Sequence, residues 1–266
     1  MENKPIAVID SGVGGLACLG AIRKIMPEED IIYFGDTAHM PYGTKSVEEL
    51  HSYAKAIGDY LSSLGTKMVI LACGTMSSTV IPFFYKEFPE MLVQGIIEPA
   101  VAATSMASQD GDKVGVIATP RCIESGSFDA AFSRLRKKLE VYYKGCPGLS
   151  DLIEKGVTEG PEMEEILKKY LDEMVNEKGI KTLLLGCTHY PLVTDCINKL
   201  YPELKIVSPV TALAKNANSL LKVHEMDTES EGTGSLRIQA SKKTEGFENM
   251  AKLLGFGDIP VEEVKL

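Results

Sequence analysis

Residues 68–75 read Met-Val-Ile-Leu-Ala-Cys-Gly-Thr, and residues 182–189 read Thr-Leu-Leu-Leu-Gly-Cys-Thr-His. Each is an apolar run of strand length closed by a small residue, a cysteine and, within two further positions, a threonine. An unbroken apolar run, rather than an alternating one, is the pattern of a strand covered on both faces. The interval between the copies exceeds the roughly 20 to 50 residues of solenoid repeats. It fits two similar α/β halves, although an apolar strand leading into a small-residue turn occurs in any α/β chain.

Similar runs lie on either side: Ile6 to Ile9, Ile31 to Phe34, Val93 to Ile97, Val114 to Ile117, Leu139 to Tyr143, Ile206 to Val207 and Leu236 to Ala240. Between most of them come stretches of helical periodicity, among them Ser46 to Leu64, Pro161 to Glu177 and Glu245 to Leu254. Strand and helix in alternation predict parallel sheets flanked by helices. Extended X-Pro dipeptides near Glu98-Pro99 and near Pro209 interrupt the alternation. The expected organisation is a discontinuous first domain, residues 1–98 plus 210–266, and a second, residues 99–209. The polar stretch Glu225 to Gly234 reads as a surface loop.

The 266 residues are 44% hydrophobic and 24% charged, which excludes a disordered or collagen-like chain. Twenty-eight Lys and Arg against 37 Asp and Glu give a net charge of -9, so no general positive field attracts nucleic acid. Glu2 and Lys4 precede an apolar run too short for a signal peptide, and no run approaches a membrane span; the expected location is the cytoplasm. The six cysteines include no C-x-x-C pair, which argues against a zinc site and a disulfide scaffold. Cys18, Cys146 and Cys196 read as small buried hydrophobes.

The first turn, Asp10-Ser11-Gly12-Val13-Gly14-Gly15-Leu16-Ala17, satisfies G-x-G-x-x-A between a strand and a helix, the setting of a dinucleotide site. Asp10 opposes a pyrophosphate there. A carboxylate beside exposed backbone N–H groups suits a zwitterion better, the acid taking the ammonium and the N–H groups a carboxylate. Asp36 marks a second acid on the same sheet edge, read singly as a loop cap.

Cys73 and Cys187 each stand where a strand gives way to a helix, a position expected to lower a thiol's pKa toward the thiolate. Thr75 and Thr188 can hydrogen-bond a thiolate or a substrate carboxylate, and His189 adds a base beside Cys187. Two thiols on duplicated elements suit a reaction that removes a proton from one face of a carbon and returns one to the other. A covalent cysteine nucleophile needs only one.

Asp10-Ser11-Gly12, Gly35-Asp36-Thr37, Pro41-Tyr42-Gly43, Ala72-Cys73, Gly95 to Pro99, Cys146-Pro147 with Glu154, and Gly186 to Leu192 together resemble the aspartate/glutamate racemase family, in order and spacing, from residue 6 to about residue 255. The resemblance implies two pseudo-symmetric α/β domains with the active site in the cleft between them, no cofactor and no metal. It implies racemisation of glutamate, supplying D-glutamate for peptidoglycan, with Cys73 and Cys187 as the bases. Asp10 and His189 would polarise them, and Glu154 would support His189. Asp10, Ser11, Pro41, Tyr42, Gly43, Gly74, Thr75, Thr119, Cys122 and Thr188 would hold the substrate. Nucleic acid and membrane are not expected partners, and a homodimer is left open.

The chain departs from the family's usual pattern at four places. Gly74 replaces an asparagine, Cys122 and Phe128 replace a threonine and a tyrosine in the series Thr119, Cys122, Ser125, Phe128, Ala100 replaces a glycine, and Ser208 replaces an aspartate. A racemase of the same superfamily with another amino-acid substrate therefore stands as the alternative. A dinucleotide-dependent oxidoreductase and a non-catalytic amino-acid-binding protein are the remaining rivals.

Overall fold

The apolar runs of the sequence become ten parallel strands among the described residues, which in this computed structural model are 4–228 and 232–266. Glu2 and the middle of the expected 225–234 loop, Glu229 to Glu231, lie outside them. The strands are β1 (Ile6–Asp10), β2 (Ile31–Gly35), β3 (Met68–Leu71), β4 (Leu92–Gly95), β5 (Lys113–Ala118), β6 (Glu140–Gly145), β7 (Thr182–Leu185), β8 (Lys205–Val207), β9 (Leu236–Ala240) and β10 (Val261–Glu263).

They form two sheets, ordered β10-β9-β2-β1-β3-β4 and β6-β5-β7-β8. Within the first, β2-β1-β3-β4 has the same order as the whole of the second. The duplication legible at Cys73 and Cys187 is thus a topological one: β3 and β7 are equivalent strands, as are β1 and β5. Asp10 pairs with Gly35 and Ala118 with Gly145, so corresponding carboxyl ends are level within each sheet. β1, β2, β3 and β7 are buried throughout, as both-face coverage by helices requires.

Helix Val47–Ser63 begins where Ser46 accepts from the Glu49 N–H and Glu49 accepts from the Ser46 N–H, a capping box that fixes its start. It packs with Phe84 and Phe88 on one face of the first sheet. The opposite face shares a continuous core with the second sheet, in which Leu16, Ile70, Val116 and Leu184 meet residues of helices Ile97–Ala107 and Val210–Val223. These two helices follow β4 and β8 and carry the two crossings between the sheets.

Three expectations need correction. Ile96 and Ile97 do not extend β4; Ile97 opens a helix, and Glu98-Pro99 lies in its first turn. Proline is tolerated there because first-turn N–H groups have no intrahelical acceptor, so the dipeptide does not interrupt the alternation. β10 was unforeseen, since Val261-Glu262-Glu263 is short and acidic. Thr228, within the expected surface loop, is buried: its backbone N–H and hydroxyl bond Glu29, which pairs with Lys67 at 2.7 Å. No helix among the described residues is long and apolar enough to cross a membrane.

Candidate active site

The carboxyl ends of β1 and β3 in the first sheet face the carboxyl ends of β5 and β7 in the second. Ser11, Cys73, Gly74, Thr75, Thr119, Cys187, Thr188 and His189 line the cavity between them, with Pro41, Tyr42 and Gly43 from the loop after β2. Ser150, Glu154 and Gly186 complete the wall. Ser150 escaped the sequence reading, and Gly186 entered it only as part of the motif around Cys187, not as a residue of the site.

Cys73 caps the helix Gly74–Thr79, and its thiol donates to Ser11 Oγ at 3.8 Å. Burial pushes this thiol up to about 12, with the negative charge of Asp10 adding to the effect. The Met76 N–H at the helix start and the Ser11 hydroxyl pull the other way and lose. The expectation that the helix start would favour a thiolate is corrected accordingly, since desolvation of the charged form exceeds what one short helix end returns.

On the opposite wall, Cys187 Sγ lies 3.6 Å from His189 Nδ1. His189 Nε2 donates to Glu154 Oε1 at 2.7 Å. Burial works against a charged imidazole, but the contacts with Cys187 and Glu154, and their charges, outweigh it and hold His189 well above its ordinary value. His189 therefore keeps a proton within reach of the Cys187 sulfur. The two thiols have different surroundings: one has a hydroxyl, the other an imidazole backed by a carboxylate.

Asp10 is fully buried and does not line the cavity. Its carboxylate accepts from the Gly12 N–H at 2.9 Å and from Thr188 Oγ1 at 3.0 Å, tying the first half to the second. Burial raises its pKa, and the charge of His189 opposes this. The expectation that Asp10 takes a substrate ammonium directly is corrected, because the side chain is fully buried behind the cavity wall. Cys122 likewise sits behind the wall, its thiol donating to the Gly74 carbonyl at 3.5 Å. Thr75 and Thr119 bond each other at 3.0 Å across the cleft rather than a thiol. Asp36, outside the cavity, accepts from Tyr42 Oη and from His39 Nδ1, which fixes the loop that carries Tyr42.

The glycines of the first turn serve packing. A Cβ at Gly14 would lie 2.5 Å from Thr188 Oγ1 and 2.9 Å from His189 Nδ1, and one at Gly12 would lie 2.9 Å from Glu154 Oε1. Side chains of the second half occupy the space a pyrophosphate would need, so the dinucleotide reading falls. Cys18, Cys146 and Cys196 are buried, as expected of small hydrophobes.

Paired thiols in unlike surroundings thus face one cavity from equivalent strands of two parallel α/β sheets. The sequence profile of Asp/Glu/Hydantoin racemases matches residues 16–217, and the chain belongs to that family. It is 36% identical over 262 residues to the glutamate racemase of Carboxydothermus hydrogenoformans, covering 98% of this chain and 96% of that protein. It is 38% identical over 261 residues to the glutamate racemase of Persephonella marina, covering 98% and 97%. The crystal structure of the Francisella tularensis glutamate racemase in complex with D-glutamate superposes with a TM-score of 0.91 at 30% identity, covering all of this chain and 98% of that one. The chain is an isomerase, an amino-acid racemase.

Proposed function

We propose that the chain interconverts L- and D-glutamate by proton transfer between Cys73 and Cys187, without a cofactor. The observation that carries this reading is the placement of the two thiols, after equivalent strands β3 and β7, on opposite walls of one cavity. One thiolate takes the α-proton from one face of the bound amino acid, leaving an enolate-like carbanion. The other thiol gives its proton to the opposite face, and the charge on the sulfurs exchanges. The reverse reaction runs the same path backward.

Burial keeps Cys73 protonated in the closed cavity. A substrate ammonium nearby supplies the opposite charge that lowers the cost of its thiolate. His189, held charged by Glu154, exchanges a proton with Cys187. Ser11, Tyr42, Gly43, Thr75, Thr119 and Thr188 offer hydroxyl and backbone N–H donors to the substrate carboxylates, which stabilises the developing enolate. Gly74 offers no side-chain donor, and this favours keeping other amino acids in the substrate panel.

The working unit is read as two domains, 1–98 with 210–266 and 99–209. The setting is read as the cytoplasm, with D-glutamate supplied for peptidoglycan and assembly as a homodimer left to measurement. Circular dichroism of L- and D-glutamate solutions tests the reaction, and in D2O the product should carry deuterium at the α-carbon. Cys73→Ser and Cys187→Ser should each abolish racemisation, because a serine hydroxyl is too weak an acid to serve as the base. Each should retain proton abstraction from one enantiomer only, seen as elimination from an analogue with a leaving group at Cβ. Efficient racemisation by either variant would overturn the two-base mechanism.

A further inference from the structure

We infer that Gly74 is a positioning residue that sets the separation of the two reacting sulfurs, through a backbone-on-backbone contact with Gly186. This rests on the two-thiol reading and concerns how the thiols are held. Gly74 directly follows Cys73, and Gly186 directly precedes Cys187. A Cβ at position 74 would lie 2.7 Å from the Gly186 carbonyl oxygen, and the next nearest atom, Cys122 Sγ, would be 3.7 Å away. The obstruction is therefore backbone, which cannot swing aside as a side-chain end can.

Gly186 cannot retreat either. A Cβ built on Gly186 would lie 2.8 Å from Phe128 Cζ, 2.9 Å from the Ile117 carbonyl oxygen and 3.0 Å from Ala118 Cβ, so the space on that side is already filled. Behind Gly74, the Cys122 thiol holds the Gly74 carbonyl at 3.5 Å, again from the second half. The residues flanking the two thiols are thus clamped together, and the clamp closes only because neither carries a side chain. Gly74 is at the first helical position with a backbone outside the left-handed region. Alanine fits that backbone within its own half, so a methyl group there acts only where the halves meet. The neighbour that matters is more than a hundred residues away in the chain.

The test is Gly74→Ala in the full chain, assayed with L- and D-glutamate. A spacer lowers kcat at least tenfold in both directions, leaves KM within threefold, and raises the primary isotope effect with α-deuterated substrate, because the proton has farther to travel. The far-ultraviolet circular dichroism should stay native. Phe128→Leu, which gives Gly186 room to withdraw, should restore kcat at least threefold when added to Gly74→Ala. Wild-type kcat and isotope effect in Gly74→Ala overturn the inference, as does a loss that Phe128→Leu does not relieve. Failure of Gly74→Ala to fold overturns it too, since the obstruction exists only across the cleft. If Cys73→Ser and Cys187→Ser both racemise efficiently, the two-thiol reading fails whatever Gly74 does. If both are dead and Gly74→Ala is unaltered, the spacer alone fails.

Discussion

Replacing Glu154 by glutamine keeps the shape of the side chain and the acceptor for His189 Nε2 but removes the negative charge 2.7 Å away. A hydrogen bond to a charged partner is worth about 1 to 1.5 kcal/mol more than a neutral one. At about 1.36 kcal/mol per unit, the His189 pKa should fall by roughly one unit. The ring has only three other histidine signals to be distinguished from, those of His39, His51 and His224, so proton NMR follows its titration directly once His189→Gln has assigned it. The alkaline limb of the kcat/KM profile should move acidward by a similar amount for the enantiomer served by Cys187. Linkage gives a second readout. His189 has a folded pKa above its unfolded value, so its contribution to stability is complete below about pH 6.5 and is lost as pH rises through the folded pKa. The melting-temperature gap between wild type and Glu154→Gln should therefore narrow as the pH is raised. A His189 titration that stays in place, or moves upward, would refute the assignment of Glu154 as the group that holds the imidazole charged.

Gly14→Ala places a methyl group against Thr188 and His189, an overpacking that costs about 1 to 3 kcal/mol; kcat should drop at least tenfold while far-ultraviolet circular dichroism stays native. Lys67→Met leaves Glu29 buried without its partner, which should cost about 3 to 5 kcal/mol in urea unfolding. Activity per folded molecule should be unaltered, since Lys67 precedes β3 and Cys73 follows it. Tyr42→Phe removes the hydroxyl that donates to the Asp36 carboxylate, with a loss of about 1.5 to 3 kcal/mol in stability and a larger effect on KM than on kcat.

Strand positions were legible because a strand buried on both faces leaves an unbroken apolar run, and Cys73 and Cys187 were legible because each ends such a run. The same rule misled at Ile96-Ile97, where an apolar stretch continues past the strand into a helix that is also buried. It missed β10, whose two glutamates are exposed at the sheet edge. The site residues came out in part from local pattern and in part from resemblance, but their burial could not be read locally. Cys73 sits at a helix start, as its neighbours indicated, yet its protonation is governed by burial and then by the charge of Asp10. Gly12, Gly14 and Gly74 carry the same lesson. Their meaning lies in Glu154, Thr188, His189 and Gly186, which no window of sequence around them contains.

The chain passes between the two sheets twice, after β4 and after β8, and the helices that carry both passages, Ile97–Ala107 and Val210–Val223, pack against each other. Two connections side by side act as the pins of a door. They oppose sliding and twisting of one sheet over the other and leave rotation about a single line through the paired helices. A rotation about that line would draw Cys73 and Cys187 apart together with the Thr75–Thr119 and Asp10–Thr188 contacts. Access to the cavity and assembly of the reacting groups are then opposite ends of the same stroke.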